Sequence, residues 1–171
     1  TGPGLKGSLL TGLNFSAGLA AALKKPLIPI NHLEGHVLSA FIKSKSFPRR
    51  NFPFLTLLIS GGHTQIILAK QIGKYELLGE TVDDSIGETF DKVSQELGYG
   101  YPGGPMIEEL AKKGDPTKYP FPKPLLKKQG LNFSFSGLKT AVIREIIKYK
   151  SSKDRYWQNN IAASLQNTIS I

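Results

Sequence analysis

The sequence predicts an α/β fold, because strand-like and helix-like runs alternate along it. Two β-rich runs, residues 54–60 and 64–70, flank Gly61-Gly62-His63, the pattern of a hairpin closed on a glycine turn. After them Ile86, Phe90, Val93 and Leu97 recur at helical spacing, and so do Leu138, Val142 and Ile146. With 171 residues, 40% of them hydrophobic, the chain is long enough to bury one sizeable core.

In order, Thr1-Gly2-Pro3-Gly4 is loop chemistry leading straight into a helix at residues 7–24, marked by Leu9, Leu10, Leu13, Leu19 and Leu23 and ended by Pro26. Residues 27–30 read as a short buried strand. A helix at 32–43 follows, capped by Asn31, and residues 44–53 form a basic loop. The hairpin comes next, then a further strand at 75–80. The helix after it is capped from Asp83, Asp84 or Ser85 and ends at Gly98. Residues 98–105 form a Gly/Pro/Tyr loop, and Pro105 is placed as the first residue of a short helix through Lys113. Pro and Lys content argues against regular structure at 114–130. A strand edge at 131–135 and a helix at 137–150 follow. The last helix, 157–171, carries Ile161, Leu165 and Ile169 and meets no Gly or Pro stop. These two ends read as a chain cut at both. No internal repeat or long low-complexity tract interrupts the pattern.

Composition narrows the chemistry. There is no cysteine, which excludes disulfides and thiolate metal sites, so any metal must be held by His, carboxylate or carbonyl oxygen. No apolar run approaches the roughly 20 residues needed to cross a bilayer, and the start does not resemble a signal peptide. The expectation is a soluble cytoplasmic protein without a membrane role. A net charge of +9 favours polyanions such as nucleic acid. Much of that excess sits in Lys24-Lys25, Arg49-Arg50, Lys112-Lys113 and Lys127-Lys128, which a solvated face explains equally well.

The chain has three histidines, and His32 and His36 stand four residues apart on an expected helix, so both imidazoles project from one face toward a shared metal ion. A pair of surface or core histidines without metal has the same spacing. A zinc protease needs its general-base Glu directly after the first His or directly before the second, and those positions hold Leu33 and Gly35. Glu34 lies about 200° around the helix from His32. Peptidase chemistry is therefore disfavoured.

Ser60-Gly61-Gly62-His63-Thr64 offers backbone N–H groups that a phosphate can approach closely, or is an ordinary hairpin turn. Tyr101-Pro102-Gly103-Gly104-Pro105 repeats the double glycine at a helix N-terminus, which favours anions, though a tight connector has the same residues. Asp91 has the chemistry to accept hydrogen bonds from ribose hydroxyls, or is a solvated helix carboxylate; its neighbour one turn on, Gln95, carries no charge.

These segments together resemble the bacterial TsaD family, formerly labelled O-sialoglycoprotein endopeptidase. The resemblance rests on Thr1-Gly2-Pro3-Gly4-Leu5-Lys6-Gly7-Ser8-Leu9, Asn31-His32-Leu33-Glu34-Gly35-His36, Ser60-Gly61-Gly62-His63-Thr64, Asp83-Asp84-Ser85-Ile86-Gly87-Glu88-Thr89-Phe90-Asp91-Lys92, Tyr101-Pro102-Gly103-Gly104-Pro105 and Asn132-Phe133-Ser134-Phe135-Ser136-Gly137-Leu138-Lys139-Thr140. All six stand in the family's order. The resemblance implies an actin- and sugar-kinase-like (ASKHA) fold, here incomplete: residues 1–53 as the remainder of its first subdomain with the His-x-x-x-His helix, and residues 54–171 as the hairpin and helices of the nucleotide-binding region. It implies an acyltransferase moving a threonylcarbamoyl group from threonylcarbamoyl-adenylate, an ATP-derived donor, to the adenosine next to the anticodon in tRNAs reading codons that begin with A. His32 and His36 are then ligands of one metal ion, iron or zinc. Leu58, Ile59, Ser60, Gly61, Gly62, Asp91 and Gly104 fall on positions that hold the adenylate, and Glu108 falls where some members have a substrate-binding Asp.

The implied partners are tRNA, a TsaB-type paralogue and a TsaE-type ATPase. Outside the chain fall the family's opening strand with its acidic loop, its Asn-rich motif and the Asp that completes its metal site. No catalytic side chain is assigned. Two other classes of function compete with the transferase: a kinase-like phosphotransferase using the same glycine turns, and a non-catalytic scaffold for a paralogous partner.

Overall fold

A computed structural model of the chain describes residues 1–42, 52–124, 130–151 and 154–170. All but the last two residues of the expected basic loop at 44–53, and Lys127-Lys128 in the segment at 114–130, lie outside them. The chain divides into two compact units, one of Thr1–Phe54 with Ala69–Tyr75 and one of Leu55–Leu68 with Glu76–Ile171.

In the first unit, helix α1 spans Lys6–Ala22 and ends just before Pro26, whose ring and missing N–H cannot continue it. α1 buries none of its residues: Leu10, Leu13, Phe15 and Leu19 are all exposed. The expected strand at 27–30 is not formed. Leu27, Ile28 and Ile30 are exposed, and the segment follows Pro26 and contains Pro29, each lacking the N–H a ladder needs. It is tied instead to residues 1–2, with Thr1 Oγ1 donating to Ile30 O at 3.0 Å and His32 N to Gly2 O at 2.8 Å. Helix α2, His32–Ser39, is capped as its sequence predicts: Asn31 Oδ1 accepts from Leu33 N at 2.8 Å and Glu34 N at 3.2 Å.

Strands β1 (Phe54–Ile59), β2 (Thr64–Gln71) and β3 (Lys74–Glu80) form one three-stranded sheet in the order β1-β2-β3. The glycine turn closes the first hairpin through Ser60 N donating to His63 O at 2.8 Å. Gly73, at φ +77, supplies the left-handed residue of the second turn.

The second unit packs helices α3 (Ile86–Glu96), α4 (Gly103–Ala111), α5 (Ser136–Tyr149) and α6 (Trp157–Ser170) around one core that includes Val93, Ile107, Leu138, Val142, Ile146 and Ile161. Of the three candidate caps for α3, Ser85 takes the role, its Oγ accepting from Glu88 N at 3.0 Å. α4 begins at Gly103, so Pro105 is its third residue rather than its first. That position is tolerated because N–H groups of the first turn have no intrahelical acceptor. The expected strand edge at 131–135 is reduced to one parallel bridge, Thr81 to Phe133. The ladder stops there because Asn132 Oδ1 takes Glu80 N at 3.1 Å and Asp83 Oδ1 takes Phe135 N at 2.8 Å, so side chains use the donors that a strand would pair.

Candidate functional site

On α2 the two histidines stand on one face. Their rings meet edge to face with centroids 4.5 Å apart, and His36 Nε2 is 3.1 Å from His32 Nε2. Two imidazole nitrogens each about 2.0–2.1 Å from one ion, at angles between octahedral and tetrahedral, stand about 2.8–3.4 Å apart. The observed separation fits that spacing. The pair borders a cleft of about 570 Å³ also lined by Thr1, Gly2, Pro3 and Asn31. Among the described residues no group of three His, Cys, Asp or Glu forms a complete metal site. Glu34 points to other work: its Oε1 accepts from Tyr75 Oη at 2.7 Å. Burial, then this hydrogen bond, raises the Tyr75 pKa.

The second unit brings the two glycine motifs to one helix. Ser85 Oγ donates to Gly61 O at 2.8 Å, and Ile86 N donates to Thr64 Oγ1 at 2.9 Å. The N-terminus of α3 therefore rests on the Ser60–Gly62 turn. Gly87 makes this possible, since a Cβ there would stand 2.7 Å from Gly61 Cα. One turn further along α3, Asp91 Oδ1 accepts from Gly103 N at 2.7 Å and caps α4. Asp91 is thus half-buried and bonded rather than freely solvated. Gly103 is needed for that approach, because a Cβ there would stand 2.6 Å from Asp91 Cα.

Gly61, Gly62 and Gly104 behave differently: a Cβ at any of them meets nothing within 4 Å, and none takes a left-handed φ. Neither crowding nor backbone conformation requires glycine at these three positions. Leu58 is buried under the turn and Ile59 is exposed beside it. Glu108 lies one helical turn after Gly104. It borders a cleft of about 450 Å³ shared with Lys112, Gln166 and Asn167, and its Oε1 is 3.8 Å from Lys112 Nζ.

Sequence reasoning missed a charged cluster. Asp83 and Asp84 read only as caps for α3, yet both reach α5. Asp83 Oδ1 accepts from Phe135 N and, at 3.2 Å, from Ser136 N, while Ser134 Oγ donates to its Oδ2 at 2.6 Å. Asp84 pairs with Lys92 and Lys139. The available signal was redundancy, since one helix N-terminus needs one cap and Ser85 already supplies it.

Glycine turns at helix N-termini and a histidine-bearing helix, carried on an α/β framework, give the class of the protein. The family follows from comparison with known proteins. A model of TsaD, tRNA N6-adenosine threonylcarbamoyltransferase, matches residues 1–171, and the chain belongs to this family. It is 49% identical over 168 residues to the tRNA N6-adenosine threonylcarbamoyltransferase of Thermosipho africanus, covering 98% of this chain and 49% of the relative. Over 169 residues it is 52% identical to that of Rickettsia peacockii, covering 99% and 48%. The chain spans about half the length of the curated relatives it matches. Membership carries the actin- and sugar-kinase-like α/β fold, of which the three-stranded sheet and six helices among the described residues are part.

Proposed function

We propose that this chain carries the donor-nucleotide cradle and two metal ligands of a tRNA threonylcarbamoyl acyltransferase. In the proposed reaction, the exocyclic amine of the adenosine next to the anticodon attacks the carbamoyl carbon of threonylcarbamoyl-adenylate. The new N–C bond forms, AMP departs with the electron pair of the broken C–O bond, and the amine loses its proton. The chain's part is binding and orientation, which convert a bimolecular encounter into an intramolecular step. The backbone N–H groups of Gly61 and Gly62 hold the phosphate, flanked by Leu58, Ile59 and Ser60, whose own N–H closes the hairpin on His63 O. Asp91, Gly104 and Glu108 accompany the nucleoside. The observation that carries the reading is that Gly61, Gly62 and Gly104 are glycines for which the fold has no use, grouped along the N-termini of α3 and α4.

His32 and His36 would hold one metal ion through Nε2, and their nitrogen donors suit iron or zinc. When bound, the ion supplies Lewis acidity and a fixed point for orienting the threonylcarbamoyl group. Within this reading, residues 1–53 are the remainder of the first subdomain and residues 54–171 part of the nucleotide-binding region. tRNA is the acceptor, favoured by the net charge of +9, and the substrate places the protein in the cytoplasm. The exposed apolar residues of α1 support docking of a TsaB-type paralogue, and a TsaE-type ATPase completes the assembly. Among the described residues no helix is long and apolar enough to cross a membrane.

Titration of the isotope-labelled chain with AMP tests the cradle. Amide shifts at Gly61, Gly62 and Gly104 that saturate with AMP are expected, and unmoved amides at these glycines overturn the reading.

A further inference from the structure

Apart from Asp91, the motifs at residues 83–92 and 132–140 have no part in the proposed chemistry, yet they meet in a charged network. Asp84 Oδ2 accepts from Ser136 Oγ at 2.7 Å and pairs with Lys139 Nζ at 2.5 Å. Asp84 Oδ1 pairs with Lys92 Nζ at 2.9 Å, and Lys92 also pairs with Glu88 at 2.6 Å. The Asp84 side chain is 10% exposed, that of Lys139 19% and that of Lys92 40%. Lys139 is therefore the partner least screened by water. Burial by itself would raise the Asp84 pKa, but donors from Lys139, Ser136 and Lys92 outweigh it and hold the carboxyl well below the usual carboxylate range.

Asp84 is joined to the glycine turn by short steps. Its carbonyl accepts from Thr81 Oγ1 at 2.5 Å. The next residue, Ser85, donates to Gly61 O, and the one after, Ile86, donates its N–H to Thr64 at the far side of the turn. We propose that Lys139 is a positioning residue for the nucleotide site: by clamping Asp84 against the N-terminus of α5, it fixes the start of α3 and hence the orientation of the Gly61 and Gly62 amides. The role rests on the reading of that turn as the phosphate cradle. Lys139 itself touches no ligand, so its effect is on the geometry of the amides and not on their number.

The test compares AMP affinity for wild type, Lys139→Met and Lys139→Arg in the chain as it is, across roughly pH 3.5 to 7, the window in which a carboxyl released from its depressed value titrates. Each variant's affinity is taken as a ratio to wild type at the same pH, which cancels titration of the AMP phosphate. The groups facing Asp84 are Lys139 on α5, Lys92 and Glu88 on α3, and its neighbour Asp83. In Lys139→Met the buried carboxyl has lost its nearest cation and titrates at higher pH. The ratio is expected to fall about tenfold and to fall further as pH decreases. Lys139→Arg is expected to restore both the affinity and the flat ratio.

A thermal melt shows which variants are folded at the assay temperature. If Lys139→Met is not, Ser136→Ala removes only the neutral donor to the same oxygen and is expected to cost a few-fold in affinity. A folded Lys139→Met whose ratio stays at one across the range overturns the positioning role while leaving the cradle intact, and so does an unchanged Ser136→Ala. A wild-type chain that binds no AMP overturns the cradle first and the positioning role with it.

Discussion

At Gly62 the demands of the fold and of a ligand can be separated by one methyl group. A Cβ at this position meets no atom within 4 Å, and the backbone does not occupy the left-handed region. Gly62→Ala therefore introduces no clash, and by restricting the unfolded chain it should stabilise by about 0.4–1 kcal/mol. For a protein of this size that corresponds to a rise in Tm of roughly 1–4 °C. If the turn cradles the adenylate phosphate, the same methyl stands between the phosphate and the N–H groups. Loss of one charge-assisted hydrogen bond costs about 1.5–3 kcal/mol, or roughly 10- to 150-fold in Kd. Gly62→Val adds bulk on the same approach and should bind more weakly still. Affinity for AMP by calorimetry and Tm by circular dichroism, on wild type and both variants, form the assay. Undiminished affinity in both would refute the phosphate role and leave the turn a hairpin connector. A fall in Tm matching the fall in affinity would refute the claim that the fold is indifferent at this position.

Glycines 87 and 103 should behave in the opposite way. Alanine at either forces backbone 2.6–2.7 Å away to move, which costs about 1–3 kcal/mol and appears as a lower Tm with or without AMP. Double substitution His32→Ala with His36→Ala should abolish uptake of one transition-metal ion by this chain, and equal metal content by elemental analysis in wild type and variant would contradict the ligand assignment. The depressed Asp84 pKa has a consequence for acid stability. A carboxylate held below its unfolded value of about 3.9 contributes stability that is present above that pH and lost as pH falls toward the folded value. Asp84→Asn should therefore destabilise at neutral pH by on the order of 2 kcal/mol and flatten the acid limb of a stability–pH curve; an unchanged limb would assign acid sensitivity elsewhere.

Local chemistry made most elements legible in the sequence. Asn31 caps α2 because its short side chain reaches two amides beyond it, a relation within three residues. The Gly61-Gly62 hairpin and the core stripe of α3 are likewise set by near neighbours and by helical period. What failed was decided at long range. Residues 27–30 have the apolar content of a buried strand, but a strand needs a partner, and the segment bonds to residues 1–2 instead. Residues 131–135 have strand propensity, but Asn132 and Asp83 divert the backbone donors into side-chain bonds across more than fifty positions. In the candidate site, residue types and spacing named the histidine pair and the glycine turns. They could not show that Asp91 spends one carboxylate oxygen on the amide of Gly103.

The glycines of the site carry information that motif reading alone cannot extract. Gly103 and Gly104 are adjacent and identical in sequence terms, yet the first lies against the backbone of α3 and the second faces open space. Gly87 and Gly61 divide in the same way across the α3–turn contact. One glycine at each junction closes the contact between elements, and at the other a Cβ would meet no atom within 4 Å. A junction built only for packing needs the first kind and gains nothing from the second, since an unhindered glycine at an ordinary φ costs conformational entropy relative to alanine. Both kinds stand together at two successive junctions, and the unhindered ones are those that the proposed anion cradle uses.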